Sequence, residues 1–562
     1  MSVEPVRAGA AAVDPVTLEV VRNALVGAAE EAGAALRRTA YSPNIKERVD
    51  CSTAVFDAQA RMVAQAEHIP VHLGSMPASV EAALAAFASL APGDQVLVSD
   101  PYAGGTHLPD WTLVAPVHDA SDALLGYAAN RAHHSDVGGA APGSMPAGAT
   151  EIFAEGLRIP PVKLYVAGEE VRDLVALLLA NTRTPRERLG DLRAQVGANH
   201  LAAARLRALA ADLGVDGLRA AMAATLDHAE RSVRAALQAL PDGTWHAEDV
   251  LDDDGTGRTD IAIRASVTIA DDHLTMDLTD SDAQVPGSVN APRAVTVSAA
   301  IYALRAVVAP DVPANDGALR ALTVRTRPGT VVDPLPPAAV AAGNVETSQR
   351  IVDVLLRALA AAAPDRVPAA SQGTMNNTLL GGTDPRTGEA FTYYETLGGG
   401  CGAGPWGPGT SGTHSHMTNT RNTPIEAFEL AYPLRVVAYR LRDGSGGAGE
   451  HRGGDGLVRI LEVHTDDATA SLLTERRARG PWGLAGGDAG APGRNLLVRD
   501  GDEQPLPAKT TLRLQRGDRL VVATPGGGGY GTPAPPAGDA YVAGEPTTSG
   551  EPTTSAAPTT SA

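Results

Sequence analysis

Leu18, Val21, Leu25, Ala32 and Leu36 recur at helical spacing. Asp14 stands where a cap is needed and Pro15 suits the first helical position, so the pattern predicts a helix over 15–39. From 40 to 180 short apolar runs alternate with Gly/Pro turns, as at 95–101 and 111–117, and read as strands mixed with helices, one of them near 78–90. Thr184-Pro185-Arg186-Glu187 has the form of a capping box. It opens a long helix to about Asp212, and a second follows from about Asp216 to Leu240, with Gly214 at the joint. This pair is expected to bridge two domains or to form a subunit contact. Ile261, Ile263, Ala265, Val267 and Ile269 alternate, Asp271-Asp272 can turn, and Leu274, Met276 and Leu278 alternate back, which predicts a hairpin. Helices return near 293–308 and 348–362, and short β segments such as 457–463 dominate from about 430 to 525. The expected class is α+β, a multi-domain mixed α/β chain with a helical block in the middle and a β-rich C-terminal part. The expected units are an extension at 1–13, an α/β domain at 14–240 carrying the helical block, a mixed and β-rich domain at 241–532, and a disordered tail at 533–562. In that tail Glu-Pro-Thr-Thr-Ser recurs at 545–549 and 551–555 and offers nothing to a core.

Composition narrows the function classes. The net charge of −19 argues against nucleic acid and anionic membranes. No run of 18 or more apolar residues suggests a membrane span. Cys51 and Cys401 are the only cysteines in 562 residues, too few for a disulfide framework, so a cytoplasmic location is expected. The three lysines, Lys46, Lys163 and Lys509, lie outside any glycine-rich phosphate loop, so no nucleotide site of that kind is expected.

Chemistry concentrates between 68 and 139. His107 and Asp110 lie three residues apart, and His133 and His134 follow one strand-turn-strand later. Two imidazoles and a carboxylate converging from adjacent turns form an open metal site, and the Gly-Gly pairs at 104–105 and 138–139 permit sharp turns beside them. His-x-x-Asp alone is weak, since it recurs at His133/Asp136, His246/Asp249 and His464/Asp467. Spacing does not separate His133 from His134. On a strand they point to opposite faces, so only one should face a metal, and His133 is preferred. His68 and His72 are four apart, but Pro70 argues against a shared helical face, leaving substrate contact or simple packing. Glu47, Arg48 and Asp50 read as an ion-paired turn beside Cys51. The glycine-rich 395–404 segment reads as an active-site lid, Cys401 within it has no identifiable triad partner, and one of His414 and His416 could line a cavity.

Several segments occur together in a recognisable order. They are Arg-Thr-Ala-Tyr-Ser-Pro-Asn-Ile-Lys-Glu-Arg-Val-Asp-Cys-Ser (38–52), His-Ile-Pro-Val-His-Leu-Gly-Ser-Met (68–76), Gly-Gly-Thr-His-Leu-Pro-Asp (104–110), His-His-Ser-Asp-Val-Gly-Gly (133–139) and Glu-Gly-Leu-Arg-Ile-Pro-Pro-Val-Lys-Leu (155–164). Gly-Asn-Val-Glu-Thr-Ser-Gln-Arg (343–350), Ser-Gln-Gly-Thr-Met-Asn-Asn (371–377), Thr-Asn-Thr-Arg-Asn-Thr-Pro-Ile-Glu (418–426) and Pro-Gly-Gly-Gly-Gly-Tyr-Gly (525–531) continue the series. Over roughly 14–531 the chain resembles the hydantoinase B/oxoprolinase family.

The resemblance implies a metal-dependent subunit of an ATP-dependent cyclic-amide hydrolase. It implies a hydantoinase A-type ATPase partner in a hetero-oligomer, with ATP and magnesium bound by that partner. The partner would phosphorylate the carbonyl oxygen of a hydantoin or lactam, and this chain would open the ring with a divalent cation, manganese, zinc or iron. In the family the ligands come from the positions matching His107, Asp110 and one of His133 and His134. Asp136, Glu47 and His72 are then candidates for moving protons. The alternatives are a subunit of an ATP-dependent ketone carboxylase, or a non-catalytic scaffold for the A-type partner.

Overall fold

Asp14 accepts hydrogen bonds from the backbone N–H groups of Val16 and Thr17, both at 3.1 Å, and from that cap helix α1 runs Pro15–Thr39. This is a computed structural model, and it describes residues 13–66 and 69–534. Val21, Leu25, Ala32 and Leu36 of α1 are buried, as the stripe predicts. The short α2 (Pro43–Lys46) then leads into a seven-stranded antiparallel sheet. Its strands are β1 (Cys51–Asp57), β2 (Met62–Ala66), β3 (Gln95–Val98), β4 (Asp110–His118), β5 (Leu124–His133), β6 (Val162–Val166) and β7 (Glu169–Glu170), in the spatial order β2-β1-β5-β4-β3-β6-β7.

Strand alternation divides the side chains between two helical layers. Val55, Ala128 and Ala132 pack with α1 and with Ala198, Ala202 and Leu206 of a long helix described next. Ala54, Phe56 and Ala129 face Met76, Val80 and Ala83 of α3 (Ser75–Ala85) on the other side. That helix lies a few residues earlier than the expected 78–90, and the chain turns instead at Ala91, whose N–H is held by Asp94 Oδ2 at 2.9 Å. After α4 (Arg172–Ala180) come α5 (Pro185–Leu213) and α6 (Val215–Gln238), separated by Gly214 at φ +73°. The box expected at the start of α5 does not form. Thr184 makes no side-chain cap, and Glu187 sits 3.2 Å from Arg188 Nη2 instead.

The predicted hairpin is present: β9 (Thr259–Ala270) and β10 (His273–Asp277) pair around Asp271 at φ +54°, with β8 (Gly243–Asp253) on the outer side of β9 and Leu322–Arg325 parallel to β10. Helices Arg293–Val307 and Ser348–Leu359 pack on this sheet. Two further sheets follow among the described residues, one built on Asn377–Thr383 and one on Gly456–Val463. The architecture is thus multi-domain α+β. Ile69, Val71, Met145 and Ala147 share one apolar core with residues of the second half such as Val295, Val345 and Met375, so chain on both sides of Leu240 is locked together. No helix among the described residues is long and apolar enough to cross a membrane. Residues 1–12 of the expected extension, His68, and 535–562 of the expected tail lie outside the described residues.

Candidate metal centre

The segment before β4 is shaped by glycine. Gly104 adopts φ +83°, and a Cβ there would run into the Ala78 backbone, so the turn that carries His107 requires glycine at this position. The Asp110 N–H donates to the His107 carbonyl at 3.1 Å, closing a turn that delivers both side chains to the start of β4. Register does the rest. Asp110 at the first position of β4 is the cross-strand partner of His133 at the last position of β5, and cross-strand pairing brings side chains into contact range. His133 is fixed in turn by its N–H, which donates to the Asp50 carbonyl at 3.0 Å just before β1.

His107, Asp110 and His133 thereby come together, with one donor atom of each within 4.8 Å of the others. His107 Nε2 lies 3.3 Å from Asp110 Oδ2, and the two imidazole rings meet edge to face with centroids 4.9 Å apart. Thr106 Oγ1 donates to Asp110 Oδ2, and His72 Nε2 stands 3.7 Å from the same oxygen. His72 Nδ1 meets Ser52 Oγ at 2.9 Å. Asn44 Nδ2 lies 2.8 Å from His133 Nδ1, while Arg48 Nη1 donates to Asn44 Oδ1 and, at 3.0 Å, to the Tyr394 carbonyl. The Tyr394 ring stacks on His133 at 4.8 Å and carries the Arg48 guanidinium on it at 4.4 Å.

Both nitrogens of His107, Asp110 Oδ1 and His133 Nε2 are buried and make no hydrogen bond. Buried polar atoms normally have partners, and four orphans in one cluster call for one. Burial opposes the charge on Asp110, but the neighbouring His107 and His72 imidazoles outweigh it and hold the carboxyl well below the usual range. Burial, then His107, pushes the His133 imidazole well below its usual pKa, which favours its neutral form. A neutral His133 imidazole and an ionised carboxylate, with the His107 ring beside them, form a donor set that fits a divalent transition-metal ion.

The structure separates the remaining candidates. His134 points away from the cluster: Nε2 lies 2.9 Å from Gln195 Oε1, and the ring packs on Trp111 at 4.2 Å. Asp136 is committed to a loop, with Oδ2 accepting from Arg183 Nη1 at 2.8 Å and its oxygens also taking the backbone N–H groups of Arg183, Gly138 and Gly143. Glu47 sits half-exposed just past α2, whereas its neighbours Arg48 and Asp50 are buried. Arg48 and Asp50 approach to only 3.9 Å, so the ion-paired turn is a minor feature beside the hydrogen bonds of Arg48. His416 belongs to a different buried cluster, 3.3 Å from Asp353 Oδ1, and His414 lies beside Arg48 with its pKa lowered to about 4 by burial and that cation. Burial raises the Cys401 thiol pKa, which disfavours the thiolate a nucleophile needs. The 399–403 segment is tied by backbone hydrogen bonds to Thr413, Pro525, Thr410 and Gly528, which makes it scaffold rather than lid.

Asp110, His133, His72 and Asp50 line a small cavity of about 20 Å³, whose wall also includes Asn344, Val345, Met375, Tyr394, Thr396, Met417, Thr418 and Thr420. That volume holds a single water. The place of Asn44, Arg48, Tyr394 and Asn344 at the site was not anticipated from the sequence: Asn44, Arg48 and Asn344 fall in segments of the family resemblance, but only the fold brings the four residues here.

A model of the family described as hydantoinase B/oxoprolinase matches residues 14–533. The chain belongs to that family. It is 39% identical to 5-oxoprolinase 1 of Arabidopsis thaliana, covering 92% of this chain and 42% of that one. It is 31% identical to a putative D-/L-hydantoinase B-type subunit of Pseudomonas sp. (strain NS671), over 93% and 90% of the two chains. The crystal structure of ATP-dependent caprolactamase from Pseudomonas jessenii superposes with a TM-score of 0.86 at 32% identity, covering 92% of this chain and 91% of the other. The chain thus spans less than half of this plant 5-oxoprolinase but nearly the full length of the hydantoinase subunit.

Proposed function

We propose that this chain is the metal-dependent, ring-opening subunit of an ATP-dependent cyclic-amide hydrolase, acting on a hydantoin or lactam activated by a hydantoinase A-type ATPase partner in a hetero-oligomer. One observation carries the reading: His107, Asp110 and His133 converge, buried, and each keeps at least one side-chain nitrogen or oxygen without a hydrogen-bond partner, in a chain of this family. These three residues would hold a divalent cation, and manganese, zinc and iron all suit two imidazoles and a carboxylate. Such an ion supplies Lewis acidity that polarises a carbonyl and makes nearby water more acidic.

The chain's own groups divide the remaining work. Asp110 keeps its negative charge among the imidazoles. His72, with burial lowering its pKa, is a neutral base between Ser52 Oγ and Asp110 and is placed to take and return a proton. Asp136 holds the loop after β5 through Arg183, a positioning role, and Glu47 is half-exposed just past α2. ATP and magnesium belong to the partner, since this sequence has no lysine-bearing phosphate loop. A cytoplasmic location fits the two free cysteines.

Reconstitution with an A-type subunit tests the reading. Ring opening of 5-oxoproline or a hydantoin should accompany ATP hydrolysis, without dependence on bicarbonate. Carboxylation of a ketone that requires bicarbonate, with no ring opening, would replace this reading by the carboxylase alternative.

A further inference from the structure

Asn344 occupies an unusual position on the cavity wall. It lies in a π-helical turn, Gly343–Thr347, that interrupts the entry to the helix Ser348–Leu359, and such turns concentrate at functional sites. The turn is clamped in place. A Cβ at Gly343 would collide with the Asn290 carbonyl, the Gly343 N–H donates to the Ser288 carbonyl at 2.9 Å, and Thr347 Oγ1 donates to the Val289 carbonyl. Asn290 is itself fixed, its side-chain nitrogen donating to Val285, Gly287 and Ala339 carbonyls. A backbone held this firmly aims its side chain reproducibly.

The carboxamide so aimed is unfinished. Asn344 is 3% exposed, lines the same cavity as Asp110 and His133, and its Oδ1 has no hydrogen-bond partner. The other neutral polar groups on that wall are occupied. Tyr394 Oη donates to Asn377 Oδ1 at 2.9 Å, Thr396 and Thr420 share a 2.7 Å hydrogen bond, and Thr418 reaches Thr420 at 3.4 Å. A buried acceptor left open costs stability unless something that enters the site donates to it.

We infer that Asn344 is a specificity-determining residue, its Oδ1 accepting the ring N–H of a cyclic amide whose carbonyl lies toward the His107/Asp110/His133 cluster. This rests on the proposed function. A ring amide is locked cis, so its N–H and C=O point from the same edge and can be read together from two sides of a small cavity. The matched lactone has a ring oxygen in place of N–H and offers nothing to Oδ1. Sites built to hydrogen-bond one substrate group discriminate strongly against the analogue lacking it. The cavity holds only a water as it stands, so part of its wall must be displaced when a ring enters.

The test compares a lactam with its matched lactone on the complex of this chain and its ATPase partner. It uses wild type, Asn344→Leu and the smaller Asn344→Ser, with metal content and melting temperature measured for each. The expected result is a wild-type preference for the lactam in kcat/KM that falls at least about tenfold in N344L. Metal content should be unchanged, and N344S should recover part of the preference. N344S also decides the matter if N344L does not fold. An active variant that keeps the wild-type preference, or a wild type with none, overturns the role of Asn344 and leaves the proposed function standing. A wild-type complex that opens neither ring overturns both.

Discussion

Asp110 and His133 face each other across neighbouring antiparallel strands, the first residue of β4 opposite the last of β5. Because side chains alternate along a strand, the residue next to His133 is turned out of the cluster into a packed polar contact. The adjacent histidines therefore carry different consequences. His133→Ala should abolish metal retention and turnover with little change in fold. His134→Ala leaves Gln195 Oε1 buried without its partner and should cost about 1–3 kcal/mol of stability while metal content stays intact. Metal analysis and thermal melts of the two variants check this, and loss of metal in H134A alone would reverse the assignment.

Asn44 sets the proton on His133. Its Oδ1 is held by Arg48, so its Nδ2 faces His133 Nδ1 at 2.8 Å, which places the ring proton on Nε2. Ligation through Nε2 instead needs the proton on Nδ1 and an acceptor opposite it. Asn44→Asp supplies that acceptor while still accepting from Arg48, and carboxylate–histidine pairs of this kind strengthen metal ligands. Metal affinity should rise by about tenfold in N44D, read by competition with a chelator. An N44D variant that binds metal more weakly than wild type would show that Nε2 is not the ligand.

Glu155 links the loop after β5 to the second half of the chain, its Oε1 accepting from the Val340 and Ala341 N–H groups at 2.8 and 2.9 Å. Burial raises its pKa to about 8 from a usual 4.5, the two N–H groups offsetting only part of that. The folded state therefore favours the protonated acid. The stability this gives is complete below about pH 4.5 and is lost as pH rises through about 8. Glu155→Gln is neutral throughout, so its melting temperature should gain on that of wild type by a few degrees between pH 5 and pH 9. A difference that stays constant with pH would refute the shift.

The isolated chain should not bind ATP with magnesium in a calorimetric titration, because it lacks a phosphate loop and its net charge of −19 repels a polyanion. Heat should appear only once the A-type subunit is added. Micromolar binding to the chain alone would require a nucleotide site of another kind here.

Much of the fold was legible in local pattern. The stripe and cap of α1, the break at Gly214 and the β9–β10 hairpin follow from periodicity and turn residues. The box at Thr184 does not form: Thr184 Oγ1 makes no hydrogen bond and Glu187 turns to Arg188 instead. At the site, His107 and Asp110 were visible from three-residue spacing and glycine turns, and strand alternation anticipated that His133 and His134 would part. Arg48 looked like part of an ion-paired turn, yet it is buried and hydrogen-bonded to Asn44 and to the Tyr394 carbonyl, residues far apart in sequence that only the fold brings together. Asn344 was visible only as part of the 343–350 segment of the family resemblance, and its place on the cavity wall was not, since a π-turn is a product of tertiary clamping rather than of propensity.

The most direct test of the central claim is the metal content of the purified chain, measured for wild type and His107→Ala together with turnover in the reconstituted complex. The account predicts about one divalent ion per wild-type chain, and loss of both the ion and ring opening in H107A with the melting behaviour largely kept. An H107A chain that retains its metal and its full activity would contradict it.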